Sequence, residues 1–182
     1  FTVLISGGSR GARSINTAMI EVHEHFKDNP GIKLIHLTGS GEYHSVTQAL
    51  DMEEGQEEYG QSSLILPYLH DMPKALAAAD LAIFRAGAIG LAELAVRGIP
   101  SVLIPYPYAA EDHQTFNAQI FVQRGAAHMI VDKALTSHDL IEEIESFMNN
   151  PHMCQRMAQA TKALGKPNAA KDIADLALEI AK

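Results

Sequence analysis

Short apolar runs rich in β-branched residues recur along the chain and alternate with longer segments whose apolar positions repeat every three to four residues. The short runs predict six strands: Thr2–Ser6, Ile32–Leu37, Ser63–Leu66, Leu81–Phe84, Ser101–Ile104 and Ala127–Val131. The longer segments predict eight helices: Ala12–Phe26, Glu42–Leu50, Met72–Ala79, Ala88–Arg97, Asp112–Arg124, Ser137–Met148, Pro151–Leu164 and Ala169–Ala181. Because parallel strands need crossover helices, this alternation predicts an α/β fold with a doubly wound, Rossmann-like parallel sheet.

The segment between the second and third predicted strands has a different composition. Residues 51–63 contain four Glu, two Gly and few apolar residues, so we expect a solvated surface loop there. The chain opens directly on a strand without an initiator Met, which leads us to expect a piece of a longer protein. In a doubly wound sheet, ligands bind at the carboxyl ends of the strands, so the loops that follow the strands are where chemistry is expected.

Composition narrows the classes of partner. The 182 residues suit one domain, and 14 Lys and Arg against 22 Asp and Glu give a net charge of −8, which argues against nucleic acid as a partner. Cys154 is the only cysteine, so an internal disulfide is impossible and a reducing compartment fits best. The most apolar stretch, residues 75–96, is interrupted by Asp80, Arg85 and Glu93, so no membrane-spanning segment is expected.

The strongest chemical signal is the glycine-rich turn at residues 6–12, between the first strand and the first helix. Glycines allow backbone N–H groups to approach an anion at a helix N-terminus, and Ser9 and Arg10 add donors beside Gly8. This turn matches neither the GxGxxG pattern nor the Walker A motif. The alternative is that its glycines serve only the bend. A second glycine loop, residues 38–41, is a weaker signal and favours a structural role.

A second cluster follows the fourth predicted strand and runs from Arg85 to Glu93. Arg85 and the N–H groups of Ala88 and Ile89 make an anion site by position, since they lie at a strand end and a helix start. The Glu93 carboxylate can accept two hydrogen bonds from a ribose diol. The alternative is an exposed Glu93 that pairs with Arg97 one helical turn later.

A third cluster follows the fifth predicted strand, where two prolines precede Asp112, His113, Gln114 and Asn117. The His and Gln side chains provide the donors and acceptors that sugar hydroxyls need, whereas Asp112 and Asn117 also fit a helix cap and a polar helix face. The remaining histidines, His23 and His36 among them, are scattered along the chain and predict no metal site. We find no motif for a catalytic nucleophile.

Together the three clusters resemble the carboxyl-terminal domain of the MurG family of N-acetylglucosaminyltransferases. The resemblance rests on GGSRGARSIN at 7–16, on the stretch from LPYLHDMPKAL to PYPY at 66–108, and on DHQTFNA at 112–118. It covers essentially the whole chain and implies one half of a glycosyltransferase B fold, with residues 1–182 as the UDP-sugar-binding domain. The family often has Gln in place of Arg10 and Ser in place of Ala86.

The resemblance also implies roles for individual residues. Ser9, between Gly8 and Arg10, would contact the diphosphate, and Arg85 would lie near the phosphates. The Leu69 backbone would bind uracil. Further residues would bind UDP-N-acetylglucosamine through its phosphates, ribose and sugar: Ala88, Ile89, Gly90, Leu91, Ala92, Glu93, His113 and Gln114.

The implied activity is metal-independent, inverting transfer of N-acetylglucosamine from UDP to lipid I, which gives lipid II for peptidoglycan synthesis, with no cofactor. Lipid I, the membrane contact and the catalytic base would belong to an amino-terminal half, and the whole protein would be peripheral on the cytoplasmic face of the bacterial membrane. No residue here is assigned as the base. Two alternatives stay open: a related transferase acting on another lipid acceptor, and a nucleotide-binding module without catalysis.

Overall fold

The structure, a computed structural model, describes residues 1–181 and is built on a seven-stranded sheet in the order β3-β4-β2-β1-β5-β6-β7. Every neighbouring pair is parallel except β3 and β4, which are antiparallel. The strands are β1 Thr2–Ser6, β2 Lys33–Leu37, β3 Glu58–Tyr59, β4 Ser63–Leu66, β5 Leu81–Phe84, β6 Ser101–Leu103 and β7 Ala127–Met129.

Helices connect the parallel strands and cover both faces of the sheet. They are α1 Arg13–Phe26, α2 Tyr43–Ala49, α3 Met72–Ala78, α4 Ala88–Arg97, α5 His113–Gln123, α6 Ser137–Asn149, α7 Pro151–Ala163 and α8 Ala169–Ile180. All eight predicted helices are confirmed, with ends that differ from prediction by at most one residue. Within residues 1–181, none of these helices has the length and apolar character needed to cross a bilayer.

Successive residues of β1 point to opposite faces and bury two separate apolar cores. Val3 and Ile5 pack with α1 and α6, whereas Leu4 packs with α4 and α5. Because both faces are covered, the central strands are buried along almost their whole length, as in Leu81–Phe84. The predicted doubly wound α/β fold is confirmed.

The prediction for residues 51–63 is wrong in part. Glu58–Tyr59 forms the edge strand β3, and the Tyr59 side chain is buried with Val46 and Ile65. The Tyr59 hydroxyl donates to Glu24 and accepts from Lys27 Nζ at 3.0 Å. A two-residue strand is too short to show an alternating pattern, so the acidic composition around it dominated the sequence signal.

The sheet reverses its direction of growth between β1 and β5. In the sheet, β2, β4 and β3 lie on one side of β1, in that order. The strands β5, β6 and β7, which come later in the chain, lie on the other side. The first and fourth of the predicted strands lie side by side, with Ser6 of β1 paired with Phe84 of β5. The loops after these two strands therefore lie side by side at the switch point, where such folds bind ligands.

Candidate functional site

Two glycine-rich loops follow β1 and β2 and pack against each other. Gly11 and Gly39 have left-handed φ angles of 77° and 81°. A Cβ on Gly11 would lie 1.9 Å from the Thr38 carbonyl oxygen, and a Cβ on Gly39 would lie 2.5 Å from the Gly11 nitrogen. Any larger residue at either position would clash with backbone, so the second loop acts as a fixed support for the first.

The first loop presents Gly8, Ser9 and Arg10 to solvent. Its turn is closed by a 2.9 Å hydrogen bond from the Gly11 N–H to the Gly8 carbonyl. Gly8 itself has a φ of 88°, and no atom lies within 4 Å of the place a Cβ would take, so this glycine serves the turn and leaves open space above it. The loop is thus both rigid and accessible, as an anion-binding turn requires.

The helices that follow β1 and β5 both begin without a side-chain cap. The residues at these positions are Ala12 before α1 and Gly87 before α4, and neither supplies a side-chain acceptor to the first turn. The N–H groups of both first turns are therefore left for water or a ligand. Since β1 and β5 are adjacent and parallel, the two helix dipoles add their positive ends at one edge, which favours an anion there.

A shallow groove runs beside the start of α4. Ala88, Leu91 and Ala92 line one wall, and Ile120 and Phe121 of α5 line the other, around a volume of about 240 Å³. The small residues of α4 keep this surface low, and Ala88, Ile89 and Ala92 are exposed while Gly90 is half-buried. Of the predicted residues of the second cluster, Ala88, Ile89 and Ala92 thus lie exposed at the start of α4, whereas Leu91 is buried because it lies on the side of the helix that packs against the core.

Glu93 is half-buried in the second turn of α4. Arg97, the alternative partner considered from sequence, donates instead to the Pro73 carbonyl at 3.2 Å. On the neighbouring connection from β4 to α3, Leu69 is half-buried and packs against the same core as α4. Both residues lie on segments that follow parallel strands, at the same edge as the glycine loops.

The third cluster is held by hydrogen bonds to its own loop. The Gln114 Oε1 atom accepts from the Tyr106 N–H at 3.0 Å, and Asn117 Nδ2 donates to the Ala86 carbonyl at 3.1 Å, which ties α5 to the loop before α4. Asp112 accepts from the Thr115 hydroxyl rather than from a backbone N–H, and His113 Nδ1 lies 2.8 Å from the Ala110 carbonyl.

This loop is also strained. Glu111 and Asp112 both have left-handed φ angles, 52° and 53°, although neither is glycine. Such a conformation costs on the order of 1–3 kcal/mol per residue and persists only where the surroundings impose it. The strain fixes where α5 begins and therefore where His113 and Gln114 lie.

Arg85 lies where the sequence predicts it, at the end of β5, but its guanidinium is already engaged. It donates to Asp132, to Ser14 and to two backbone carbonyls, and only 10% of its side chain is exposed. Sequence reasoning missed Asp132, which lies 47 residues from Arg85 in the turn after β7. An acidic residue in a connecting turn carries no signal of this pairing.

A second network that the sequence did not reveal lies beneath the glycine loops. His23 of α1 and His36 of β2 are fully buried, with their rings stacked 5.2 Å apart. His23 Nε2 lies 3.0 Å from His36 Nδ1, and His36 Nε2 lies 3.0 Å from the Oδ1 of Asn16. Asn16 Nδ2 in turn donates to the Thr38 carbonyl at 2.9 Å, next to Gly11. Sequence analysis did not predict this contact between His23 and His36.

Residues 2–175 match the model of the glycosyltransferase family 28 C-terminal domain. The chain belongs to this family. The resemblance to the MurG family is confirmed as well. Two curated relatives, from Halothermothrix orenii and Desulforudis audaxviator, are 45% and 41% identical over 99% and 100% of the chain. Both are named UDP-N-acetylglucosamine–N-acetylmuramyl-(pentapeptide) pyrophosphoryl-undecaprenol N-acetylglucosamine transferase.

Solved structures agree with this family 28 assignment. MurG from Acinetobacter baumannii superimposes with a TM-score of 0.80 at 29% identity, over 96% of this chain and 48% of that one. The calicheamicin glycosyltransferase, at 16% identity and a TM-score of 0.71, shares the fold alone. The fold is thus one half of the glycosyltransferase B architecture. The family 28 chain spans about half the length of the curated relatives it matches.

Proposed function

We propose that this chain binds UDP-N-acetylglucosamine as the donor half of an inverting transferase that adds N-acetylglucosamine to lipid I to make lipid II. The observation that carries the proposal is the 41% and 45% identity, across the whole chain, to proteins named for this transfer. The geometry supports it, because two uncapped helix N-termini and an open glycine turn share the sheet's switch point.

In this proposal each segment at the edge contacts one part of the donor. Gly8, Ser9 and Arg10 bind the diphosphate together with the first turn of α4, from Ala88 to Ala92. Glu93 accepts hydrogen bonds from the ribose diol, and the Leu69 backbone binds uracil. His113 and Gln114 contact the sugar hydroxyls, and the strained Glu111–Asp112 backbone holds them in place.

During transfer, this half must stabilise the negative charge that develops on the UDP leaving group. When the bond between the anomeric carbon and the phosphate oxygen breaks, the electron pair leaves with UDP, and two helix dipoles stabilise it without help from a metal. The acceptor hydroxyl attacks from the opposite face and loses its proton to a base that we assign to an amino-terminal half. That half also provides the lipid I site and peripheral contact with the cytoplasmic face of the membrane.

Calorimetric titration of the chain in EDTA tests the donor proposal. We expect UDP and UDP-N-acetylglucosamine to bind more tightly than ADP or NAD, since the uracil and ribose contacts select the nucleotide. Equal or absent heats for all four ligands would overturn it. Joining the chain to the amino-terminal half of a family member that acts on lipid I then tests the donor role in transfer: we expect the joined protein to transfer N-acetylglucosamine to lipid I, and an inactive but folded joined protein that binds UDP-N-acetylglucosamine would favour the binding module without catalysis.

A further inference from the structure

The Arg85 side chain closes a buried polar cluster at the carboxyl edge of the sheet. Its Nη1 donates to the carbonyls of Ile104 and Pro105, both at 3.1 Å, and to Asp132 Oδ1 at 2.5 Å. Its Nη2 donates to Ser14 Oγ at 2.9 Å, and that hydroxyl donates to the same Asp132 oxygen. The two charged side chains are only 10% and 16% exposed.

This arrangement leaves the Arg85 charge already balanced. A phosphate that paired with Nη1 would have to displace the Asp132 carboxylate, and separating a buried ion pair leaves an uncompensated charge behind. Both terminal nitrogens are already engaged, with four acceptors from three separate segments. Arg85 therefore lies where a phosphate-binding residue would lie, but its contacts hold three segments of the chain together.

The segments that Arg85 and Asp132 connect belong to, or lie next to, the proposed donor site. Ser14 lies in the first turn of α1, behind the glycine loop, and Asp132 lies in the turn after β7. Ile104 and Pro105 begin the loop after β6, whose next residue, Tyr106, lies with its ring 5.6 Å from the guanidinium carbon. The Tyr106 N–H then donates to Gln114 Oε1 at 3.0 Å. A short path of direct contacts thus connects Arg85 to Gln114.

We propose that Arg85 and Asp132 are a positioning pair that fixes the residue 105–114 loop, and through it Gln114, over the sugar of the donor, and that Arg85 does not bind the phosphates. The inference deepens the proposed function and rests on it for the identity of the sugar. It predicts that damage to the pair weakens recognition of the sugar and leaves recognition of the diphosphate largely intact.

The Asp132→Asn variant distinguishes phosphate binding from positioning, because the two roles predict changes in ligand affinity of opposite sign. If Arg85 bound phosphate, removing the competing carboxylate would free the guanidinium and strengthen UDP and UDP-N-acetylglucosamine alike. For a positioning pair, we expect UDP to bind within about twofold of the unsubstituted chain and UDP-N-acetylglucosamine to bind about fivefold more weakly, the loss typical of one hydrogen bond between neutral groups. Arg85→Lys should show the same pattern, and Arg124→Lys, at an exposed site, should change neither affinity.

A double-mutant cycle distinguishes positioning from a general loss of stability. If the pair acts through Gln114, then adding Asp132→Asn to Gln114→Ala should cost no further affinity for UDP-N-acetylglucosamine, because the contact is already lost. Additive losses would overturn the proposal, as would equal losses for UDP and UDP-N-acetylglucosamine in Asp132→Asn. Thermal unfolding of each variant identifies any that fail to fold.

Hydrogen exchange without ligand keeps this test independent of the proposed function. The Tyr106 amide donates to Gln114, so we expect it to exchange several-fold faster in Asp132→Asn and at the unsubstituted rate in Arg124→Lys. Unchanged exchange at Tyr106 in Asp132→Asn overturns the positioning pair. Failure of the unsubstituted chain to prefer uridine nucleotides, with faster Tyr106 exchange in the variant, overturns the proposed donor and leaves the pair standing.

Discussion

Two buried polar networks support the loops at the switch point, and they do so by opposite means. On the β2 side, Asn16, His23 and His36 connect α1 to the second glycine loop. On the β5 side, Arg85 and Asp132 connect α1 to the loops after β6 and β7. The first network is uncharged and completely buried, whereas the second is an ion pair near the surface.

The contacts fix the direction of the uncharged network. Because Asn16 Nδ2 donates to the Thr38 carbonyl, its Oδ1 must accept from His36 Nε2, so the proton of neutral His36 is on Nε2. His36 Nδ1 then accepts from His23 Nε2, and His23 Nδ1 accepts from the Ser63 hydroxyl at 2.8 Å. Every donor meets an acceptor only while both imidazoles are neutral.

The difference shows how burial and charge limit each other in this fold. Neutral groups lose little on complete burial if all are hydrogen-bonded, but an added proton places an uncompensated charge inside the buried network. An ion pair is charged from the start and needs contact with solvent and backbone carbonyls to offset desolvation. We therefore expect the β2 side to respond to pH and the β5 side to respond to ligand.

The largest expected effect is a loss of stability at acid pH, which arises from the buried histidines on the β2 side. Burial lowers the pKa of His23 from 6.5 to about 3, and burial with the nearby His23 ring lowers the pKa of His36 well below 6.5. Below pH 6.5 these histidines bind protons in the unfolded chain but not in the folded chain. Their contribution to the free energy of unfolding is therefore complete above that pH and is lost as pH falls. From pH 7 to 5 we expect His23 to account for a loss of about 2 kcal/mol, measured by urea unfolding, and His36 to add a loss in the same direction.

One other histidine acts in the opposite sense. A hydrogen bond to Glu143 raises the pKa of His128, so its stabilisation is present below its unfolded pKa and is lost as pH rises through the folded one. His128 therefore offsets part of the acid effect. The matched variants are His23→Gln, which should reduce the dependence on pH, and the control His44→Gln at an exposed site. An unaltered pH slope in His23→Gln would contradict the neutral network.

The glycine contact at the end of this network gives the next largest effect. Gly11→Ala and Gly55→Ala both place a side chain on a left-handed residue, with φ of 77° and 82°, at a cost of about 1–2 kcal/mol. Only at Gly11 does the new Cβ meet backbone, at 1.9 Å from the Thr38 oxygen, whereas no atom lies within 4 Å at Gly55. We expect Gly11→Ala to lower the free energy of unfolding by about 1–3 kcal/mol more than Gly55→Ala. Equal losses would show that the two loops separate freely.

On the ligand-responsive side, Glu93→Gln should weaken UDP binding by about tenfold, since a charge-assisted hydrogen bond to the ribose is replaced by a neutral one. The same substitution should leave 2′,3′-dideoxy-UDP unaffected, because that ligand lacks the diol. Glu142→Gln, at an exposed position of α6, is the matched control and should leave the affinity for both ligands unchanged. If Glu93→Gln leaves UDP affinity intact in calorimetry, Glu93 has no part in ribose binding.

The fold was largely predictable because the strands at the centre of the sheet are short runs of mostly buried apolar residues, such as Leu81–Phe84, and each parallel crossover contains a helix with clear ends. The positions of the three clusters followed from the same pattern, since parallel strands bring the loops after them to one edge. Gly98, with a φ of 72° after α4, shows how a glycine suits such a left-handed helix end.

The parts that sequence could not provide are all pairings across elements. His23 and His36 lie 13 residues apart on a helix and a strand, and nothing in either segment indicates that their rings meet. The Arg85–Asp132 pair spans 47 residues and joins a strand end to a turn whose acidic residue looks like any surface Asp. Side-chain contacts of this kind depend on packing distances in three dimensions, which periodicity along one segment does not encode.

The smallest expected effect is a change in amide exchange on UDP binding in EDTA. If the diphosphate lies between the N-termini of α1 and α4, UDP should slow exchange several-fold within Gly8–Ala12, at Ser9 and Arg10 above all, and at Ala88–Ile89, because these N–H groups gain an acceptor. The amide of His36, within β2, should exchange at the same rate with and without UDP, since the uncharged network is already complete. ADP is the control ligand and should protect these sites less at equal concentration. Unchanged exchange at Gly8–Ala12 would leave that loop a turn and nothing more, and protection that needs Mg²⁺ would refute the metal-free site.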